Sequence, residues 1–412
     1  MKKNLSLKYI IYIILLYLFI FQNLLQNIFS EFKYFDEVLA LLSIPIIIAE
    51  IYKSKGIIKL KNSNVKLFIC LLIIFMVGMI SNFKYQYQEL RLAFGDAILV
   101  FKFFMIYYLA KKSFNRNFII DYKKKIKFHI KISIMALVAL TALNYKYSIW
   151  PSSYRYGIMS NTLFYEHPTY LAAICIFLLG SLFLITDNIK KDILVVIALL
   201  LILLTTLRLK AIASVGVIVA MIIYVLVTKN RLNLAKFVII GIFAIIIAFD
   251  QVSYYYLESN NSARKQLSFK AIEIAKDYFP IGTGFGTYGS YMSVVNYSKI
   301  YYIYNLNNIH GLQKGNAKFI SDTFWPMILG QFGIIGCICY LLCLYIIYKD
   351  IQRDFNKNDI YLYLSKMICY GYLIIASTSE SAFVNPVAIP LAFIIGIDKS
   401  NNCKEESGLI NY

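Results

Sequence analysis

Long apolar runs without internal charge constrain the fold of this chain more than any other feature. Residues 192–206 and 211–228 are two examples, and 59% of the 412 residues are hydrophobic, with a mean hydropathy of +0.64. In hydrocarbon, backbone groups must bond within their own segment, so such runs predict membrane-spanning helices. A buried helix of a soluble protein explains one run of this kind but not a dozen.

The sequence therefore predicts an all-α polytopic membrane protein with about twelve transmembrane helices. We predict spans at residues 8–26, 36–52, 65–81, 92–110, 128–144, 168–186, 192–207, 211–228, 236–251, 323–348, 361–378 and 384–398. The first run lacks a small-residue cleavage site, so we expect an uncleaved helix rather than a signal peptide. The spans divide the chain into helices 1–9 (1–251), a large outer loop (252–322), helices 10–12 (323–398) and a cytoplasmic tail (399–412).

Basic residues are distributed unevenly among the loops. Segments 53–66 and 111–127 hold five and seven Lys or Arg residues, whereas 27–35 and 145–167 hold one and two. Because basic loops stay in the cytoplasm, we expect both termini there and residues 252–322 on the outer face. Membrane orientation also explains the net charge of +20, so we expect no nucleic-acid partner.

The outer loop begins with an amphipathic pattern. Ser262 is a candidate N-cap, Pro280 follows as a stop signal, and apolar positions recur at helical spacing at Leu267, Ala271, Ile274 and Tyr278. A glycine-rich turn and a tyrosine-rich stretch come next. We therefore predict a short amphipathic helix that is capped by Ser262 and ends before Pro280.

Two arginines are the first candidates for function. Arg208, with Lys210 beside it, lies where two apolar runs meet, and a guanidinium near hydrocarbon is costly unless paired or hydrated. Arg264 lies at the start of the loop helix, where a positive charge opposes the helix dipole. A phosphate group satisfies both, because the planar guanidinium grips its oxygens. The alternatives are a snorkelling charge at Arg208 and a solvated loop face at Arg264.

Further candidates are predicted on the same side of the membrane. Arg155, His167 and His310 are polar groups available to position a substrate, although a lone histidine is more often structural. Asp322, at the head of the tenth span, either caps that helix or accepts a proton from a sugar hydroxyl.

Three glycines, Gly282, Gly284 and Gly286, open the turn after the loop helix. They either let backbone N–H groups approach an anion or a sugar, or simply form a tight turn. The cysteines show no CxxC spacing, so we expect no metal site.

The order of these motifs resembles a known superfamily. "YRYGIMSNTLFYEHPTYLA", "LTTLRLKAIAS", "ARKQLSFKAIEIAKDYFPIGTGFGTYGS" and "SDTFWPMILGQFGIIG" follow one another with the loop placement of O-antigen ligases and polymerases. The chain looks most like the Wzy-type capsular or O-antigen polymerases. The resemblance covers about residues 30–395, and its specific part runs from Arg155 to Gly336.

The resemblance implies a GT-C-like glycosyltransferase in the bacterial cytoplasmic membrane. The implied reaction is the polymerisation of undecaprenyl-diphosphate-linked repeat units at the outer face, without a metal or other cofactor. Arg208 and Arg264 match the family's diphosphate ligands, and its glycine-rich loop motif matches Gly282, Gly284 and Gly286. The implied partner is a chain-length regulator protein. Ser321 and Asp322 stand where the ligase branch has a His-Asn pair, which favours polymerase over ligase. A lipid-linked sugar transporter is the other alternative, but such proteins usually show structural halves and little mass outside the membrane.

Overall fold

A computed structural model describes residues 6–53, 62–150, 153–247, 253 and 262–399. Its helices are Leu7–Ile28, Phe35–Leu41, Ser43–Lys53, Ser63–Tyr85, Leu90–Ser113, Arg116–Asp121, Lys123–Tyr147, Pro168–Ile185, Ile193–Thr205, Leu209–Thr228, Leu234–Ile247, Ala263–Asp277, Met292–Val295, Ile300–Ile303, Trp325–Arg353, Ile360–Ser377 and Ala388–Gly396. Strands Tyr154–Arg155 and Ile158–Met159 form a small antiparallel hairpin. Residues 248–251 of the ninth predicted span, 252 and 254–261 of the outer loop, and the tail beyond Lys399 lie outside the described residues.

Eight helices in the described ranges are long and apolar enough to cross a membrane. They are Leu7–Ile28, Ser63–Tyr85, Leu90–Ser113, Lys123–Tyr147, Pro168–Ile185, Leu209–Thr228, Trp325–Arg353 and Ile360–Ser377. Each coincides with a predicted span to within a few residues at either end. An all-α, multi-pass membrane protein is therefore confirmed.

The other four predicted spans are shorter helices. The second is divided into Phe35–Leu41 and Ser43–Lys53, because Pro45 lacks an N–H and its ring clashes with the carbonyl of Leu41. The seventh has 13 residues, the described part of the ninth has 14, and the twelfth has 9. A spanning helix needs about 20 residues, so the total of twelve stays a prediction.

The Pro168–Ile185 helix lies at the centre of the bundle. Nearly all of its side chains are buried, and it packs against the helices Lys123–Tyr147, Ile360–Ser377 and Ala388–Gly396. A helix that is apolar all round has no polar face to turn toward water, so it takes an interior position. This helix fixes the position of His167, which directly precedes it.

Residues 262–322, the described part of the predicted outer loop apart from residue 253, fold as a small unit with its own core, and we call them the outer unit. The predicted helix is confirmed at Ala263–Asp277, and the Ser262 side chain accepts the Lys265 N–H at 3.2 Å. Its apolar face packs on buried side chains from the rest of the segment, which include Tyr288 and Tyr301. Tyr288 and Tyr301 are therefore core residues of the outer unit, whereas Tyr291 and Tyr302 are exposed.

Candidate functional site

Arg208 lies at the predicted junction between two apolar helices. The helix Ile193–Thr205 ends just before it and Leu209–Thr228 begins just after it, with Leu207 in a left-handed conformation (φ 49°) that turns the chain. The Arg208 guanidinium donates from Nη2 to Nε2 of His167 at 2.7 Å. Two residues that the sequence separates by 41 positions are thus in direct contact.

His167 holds Arg208 as a neutral acceptor. Because arginine has only donors, the Nε2 atom of His167 must be unprotonated, and the ring proton lies on Nδ1. In this tautomer Nδ1 donates to the Thr169 hydroxyl at 2.9 Å and does not accept the Thr169 N–H, which lies 3.3 Å away. Burial, together with the charges of Arg208, Lys210 and Arg155, lowers the pKa of His167 to about 4. The imidazole is therefore neutral at pH 7, and its remaining lone pair is occupied by Arg208.

Lys210 forms an ion pair with Glu380, in the turn between the helices Ile360–Ser377 and Ala388–Gly396. Both side chains are largely buried, with relative exposures of 15% and 13%. The second carboxylate oxygen of Glu380, Oε1, is buried and has no hydrogen-bond partner among the described residues. Sequence reasoning missed Glu380. The one available signal was an acid in a short, predicted outer segment that contains no basic residue.

Arg264 pairs with Asp322, as Nη2 lies 3.1 Å from Oδ2. The charge of Arg264 also acts on Lys210, which places this second ion pair beside the first. The structure therefore brings together side chains from separate parts of the sequence. We call them the cationic cluster: Arg155, His167, Arg208, Lys210, Arg264, Asp322 and Glu380.

The Ser381 hydroxyl ties the two acidic segments together. It lies 2.6 Å from the carbonyl oxygen of Ser321 and 3.2 Å from that of Thr323, and so donates a shared hydrogen bond across them. Trp325 Nε1 donates to the Ser377 hydroxyl at 3.2 Å in the same region. The segments that carry Asp322 and Glu380 are thereby held in fixed register.

The three predicted glycines lie in a packing contact rather than in an open loop. Gly282, Gly284 and Gly286 all have positive φ, and their N–H groups donate to Tyr278 O, Gln331 O and Asp96 Oδ2 at 2.8–2.9 Å. Backbone N–H groups with protein acceptors are not available to hold an anion. This geometry favours the tight-turn interpretation and not the predicted substrate contact.

The glycine-rich loop also explains a break in the Trp325–Arg353 helix. Gly333 has φ 59° and ψ −159°, and the carbonyls of Gly330 and Gln331 accept loop N–H groups instead of helical ones. The loop is thereby anchored to the outer end of a membrane-spanning helix. This anchoring holds the outer unit, and with it Arg264, against the bundle.

His310 is not brought into the cationic cluster. It is exposed in the outer unit, where its ring packs against Phe319. Within the described residues no contact joins it to Arg208 or Arg264. Its predicted role in substrate positioning gains no geometric support.

The site combines four cationic side chains with two carboxylates. Among the described residues of this region, Arg155, Arg208, Lys210 and Arg264 outnumber the carboxylates of Glu166, Asp322 and Glu380, and His167 is neutral, so the remaining positive charge favours an anion. Oε1 of Glu380 has no donor among the described residues, so this carboxylate oxygen is available to accept a proton. The fold and this site define a multi-pass, all-α membrane protein with an anion-attracting cluster at one end of its helices.

Neither a protein-family model nor a curated protein matches the chain.

Proposed function

We propose that this protein is a glycosyltransferase that polymerises undecaprenyl-diphosphate-linked repeat units into a surface polysaccharide, O-antigen or capsule, without a metal or other cofactor. One observation supports this proposal more than any other. Four cationic side chains lie together beside two carboxylates at the ends of apolar helices, and they are Arg155, Arg208, Lys210 and Arg264. In this proposal the chain lies in the bacterial cytoplasmic membrane, with twelve spans, cytoplasmic termini, a GT-C-like architecture and a chain-length regulator as partner.

The position of the cluster suits a lipid diphosphate. Arg208 and Lys210 lie at the start of one membrane-spanning helix, and Asp322 lies just before another. The diphosphate of a membrane-anchored lipid lies at headgroup depth, where such helix ends meet water. A soluble nucleotide sugar needs no site at this depth, so the location favours a lipid-linked donor.

Arg208 and Arg264 stabilise the departing diphosphate in this mechanism. Cleavage of the sugar–phosphate bond develops negative charge on the leaving oxygen, and fixed guanidinium groups stabilise it more strongly in a partly dry site than in water. His167 orients Arg208, and Asp322 orients Arg264, each by a direct contact. Because their partners already hold them, these donors need little reorganisation during the reaction.

We assign Glu380 as the proton acceptor for the attacking hydroxyl. The acceptor oxygen forms a bond to the anomeric carbon, the bond to the diphosphate breaks with its electron pair on the diphosphate oxygen, and the hydroxyl proton passes to Glu380. The buried Oε1 of Glu380 has no partner among the described residues, whereas Asp322 is more exposed and bonds to Arg264. A single displacement of this kind inverts the anomeric centre.

Reconstitution with one defined substrate tests the proposal. The full chain in lipid vesicles, supplied with a single undecaprenyl-diphosphate repeat unit, is expected to yield longer lipid-linked glycans and free undecaprenyl diphosphate. Arg208→Ala removes both products while the protein still inserts. A glycan that crosses the membrane without growing indicates a transporter, and transfer only to a different acceptor indicates a ligase. Either result contradicts the polymerase proposal.

A further inference from the structure

A basic cavity lies at the opposite ends of the helices that carry the cationic cluster. Its volume is about 590 Å³, and the lining includes Tyr224, Asn230, Arg231, Asn233, Lys236, Arg353 and Lys357. Four of these are cationic, and the described lining contains no acid. The cavity therefore favours an anionic occupant.

The two carboxylates near the cavity, Asp350 and Asp354, are both paired with lysines outside its lining. Asp350 contacts Arg353 at 3.0 Å, but it also receives Lys111 at 2.6 Å, so its charge is shared. Asp354 pairs with Lys366 at 2.5 Å. Among the described residues, these two carboxylates therefore offset little of the positive charge of Arg231, Lys236 and Lys357.

The cavity and the cationic cluster lie on opposite faces of the membrane. The Leu209–Thr228 helix starts beside Arg208 and ends at the cavity, and its 20 residues span about 30 Å, the thickness of the hydrocarbon core. The Trp325–Arg353 helix also starts near Asp322 and ends at Arg353. The two anion-attracting sites cannot share one substrate headgroup.

Exposed apolar side chains lie next to the cavity on two of the helices that line it. Ile223 and Val227 are 56% and 76% exposed on the helix that supplies Tyr224, and Ile239 is 54% exposed one turn beyond Lys236. Apolar side chains exposed on membrane-spanning helices contact acyl chains. A molecule with a negative headgroup and apolar tails fits this combination, whereas a free anion uses only the basic part.

We propose that this basic cavity binds the headgroup of an acidic phospholipid, such as phosphatidylglycerol. Arg231, Lys236 and Lys357 pair with the phosphate, Asn230 and Asn233 donate from their amides, and the acyl chains lie along Ile223 and Ile239. Basic pockets between helices on the cytoplasmic side are a recurring form of acidic-lipid recognition. The site is independent of the proposed polymerase activity.

Lipid binding to the purified full chain tests this proposal. Phosphatidylglycerol or phosphatidylcholine is supplied in mixed micelles, and retained lipid is measured by native mass spectrometry. Arg231→Gln with Lys236→Gln should weaken phosphatidylglycerol retention about 30-fold, since each basic residue near an anionic headgroup contributes about 1 kcal/mol. The control is Lys229→Gln with Lys349→Gln, which removes two charges on the same membrane face outside the cavity lining.

The outcomes separate lipid from other anions. Selective retention of phosphatidylglycerol that is lost in the cavity variant and kept in the control supports the proposal. Equal weakening in both variants indicates general surface charge and overturns it. Displacement of the lipid by millimolar inorganic phosphate indicates a soluble-anion site and overturns it as well.

Discussion

Lys210 and Glu380 form an ion pair that joins the start of one membrane-spanning helix to the turn after another. Separation of two buried charges is costly, so this pair fixes the position of both side chains. It also leaves one buried carboxylate oxygen of Glu380 without a partner among the described residues. This arrangement distinguishes Glu380 from Asp322 as a candidate proton acceptor.

Glu380→Gln is expected to slow chain extension about 10²- to 10⁴-fold, the usual contribution of a general base. Glutamine keeps the shape of the side chain but accepts no proton. The measurement is the rate of lipid-linked glycan growth in vesicles. Glu273→Gln, which changes an exposed acid on the outer helix, is the control and should leave the rate unchanged. Normal extension by Glu380→Gln removes Glu380 from the mechanism and leaves the diphosphate proposal standing.

Arg264→Ala is expected to lower kcat about 10²- to 10³-fold, as removal of one charge-stabilising donor does in other enzymes. Arg264→Lys should also be impaired, because lysine lacks the planar fork that meets Asp322 and a phosphate together. Lys270→Ala, on the same helix, is the matched control. Full activity in Arg264→Lys shows that charge alone suffices and rules out the bidentate contact.

Acidification should destabilise the wild-type protein more than His167→Gln. The folded-state pKa of about 4 lies below the ordinary value of 6.5, so protonation favours the unfolded chain. The stability from neutral His167 is complete above pH 6.5 and is lost as the pH falls through about 4. Thermal unfolding midpoints in detergent, measured from pH 7 to pH 4, check this. If the unfolding midpoints of the two proteins fall equally as the pH is lowered, the predicted contribution of His167 is wrong.

Gly282→Ala is expected to destabilise the fold by about 1–3 kcal/mol through overpacking. A Cβ there meets the Gly333 nitrogen at 2.4 Å and the Gln331 carbonyl oxygen at 2.6 Å. Gly315→Ala is a useful control, because Gly315 also has a positive φ but has open space around its Cβ position. The difference in unfolding temperature between the two variants isolates the crowding. Equal midpoints show that the loop does not need its close contact with the helix.

His310→Ala is expected to retain wild-type chain extension. The ring is exposed and contacts Phe319 rather than the cationic cluster. An exposed substitution of this kind usually changes stability by less than about 0.5 kcal/mol. A loss of activity with normal insertion implies that the outer unit contacts the substrate far from Arg208.

Features with a local cause could be predicted from the sequence. The helix at Ala263–Asp277 follows from Ser262 and the spacing of Leu267, Ala271 and Ile274. The junction at Arg208 follows from the apolar runs on either side. In each case a few consecutive residues hold the signal, so one sequence is enough to detect it.

Features that depend on contacts between distant residues could not be predicted. Glu380 has no charged neighbour in sequence, and its partner Lys210 lies 170 positions away. The glycine-rich turn is indistinguishable from a ligand-binding loop until its N–H groups are seen to bond with Asp96 and Gln331. The break in the second span is different, because Pro45 is a local signal for it that the predicted span 36–52 did not take into account.

The hydrogen bond from Ser381 has a consequence for how this site tolerates motion. Because this hydroxyl bonds to the carbonyl oxygens of Ser321 and Thr323, on either side of Asp322, it limits how far Asp322 and Glu380 can separate when the surrounding helices shift. Arg208 is anchored elsewhere, to His167. Because Lys210, two residues from Arg208, also pairs with Glu380, a substrate that pushes these helices apart must strain this ion pair before the gap between Arg208 and the acids can widen.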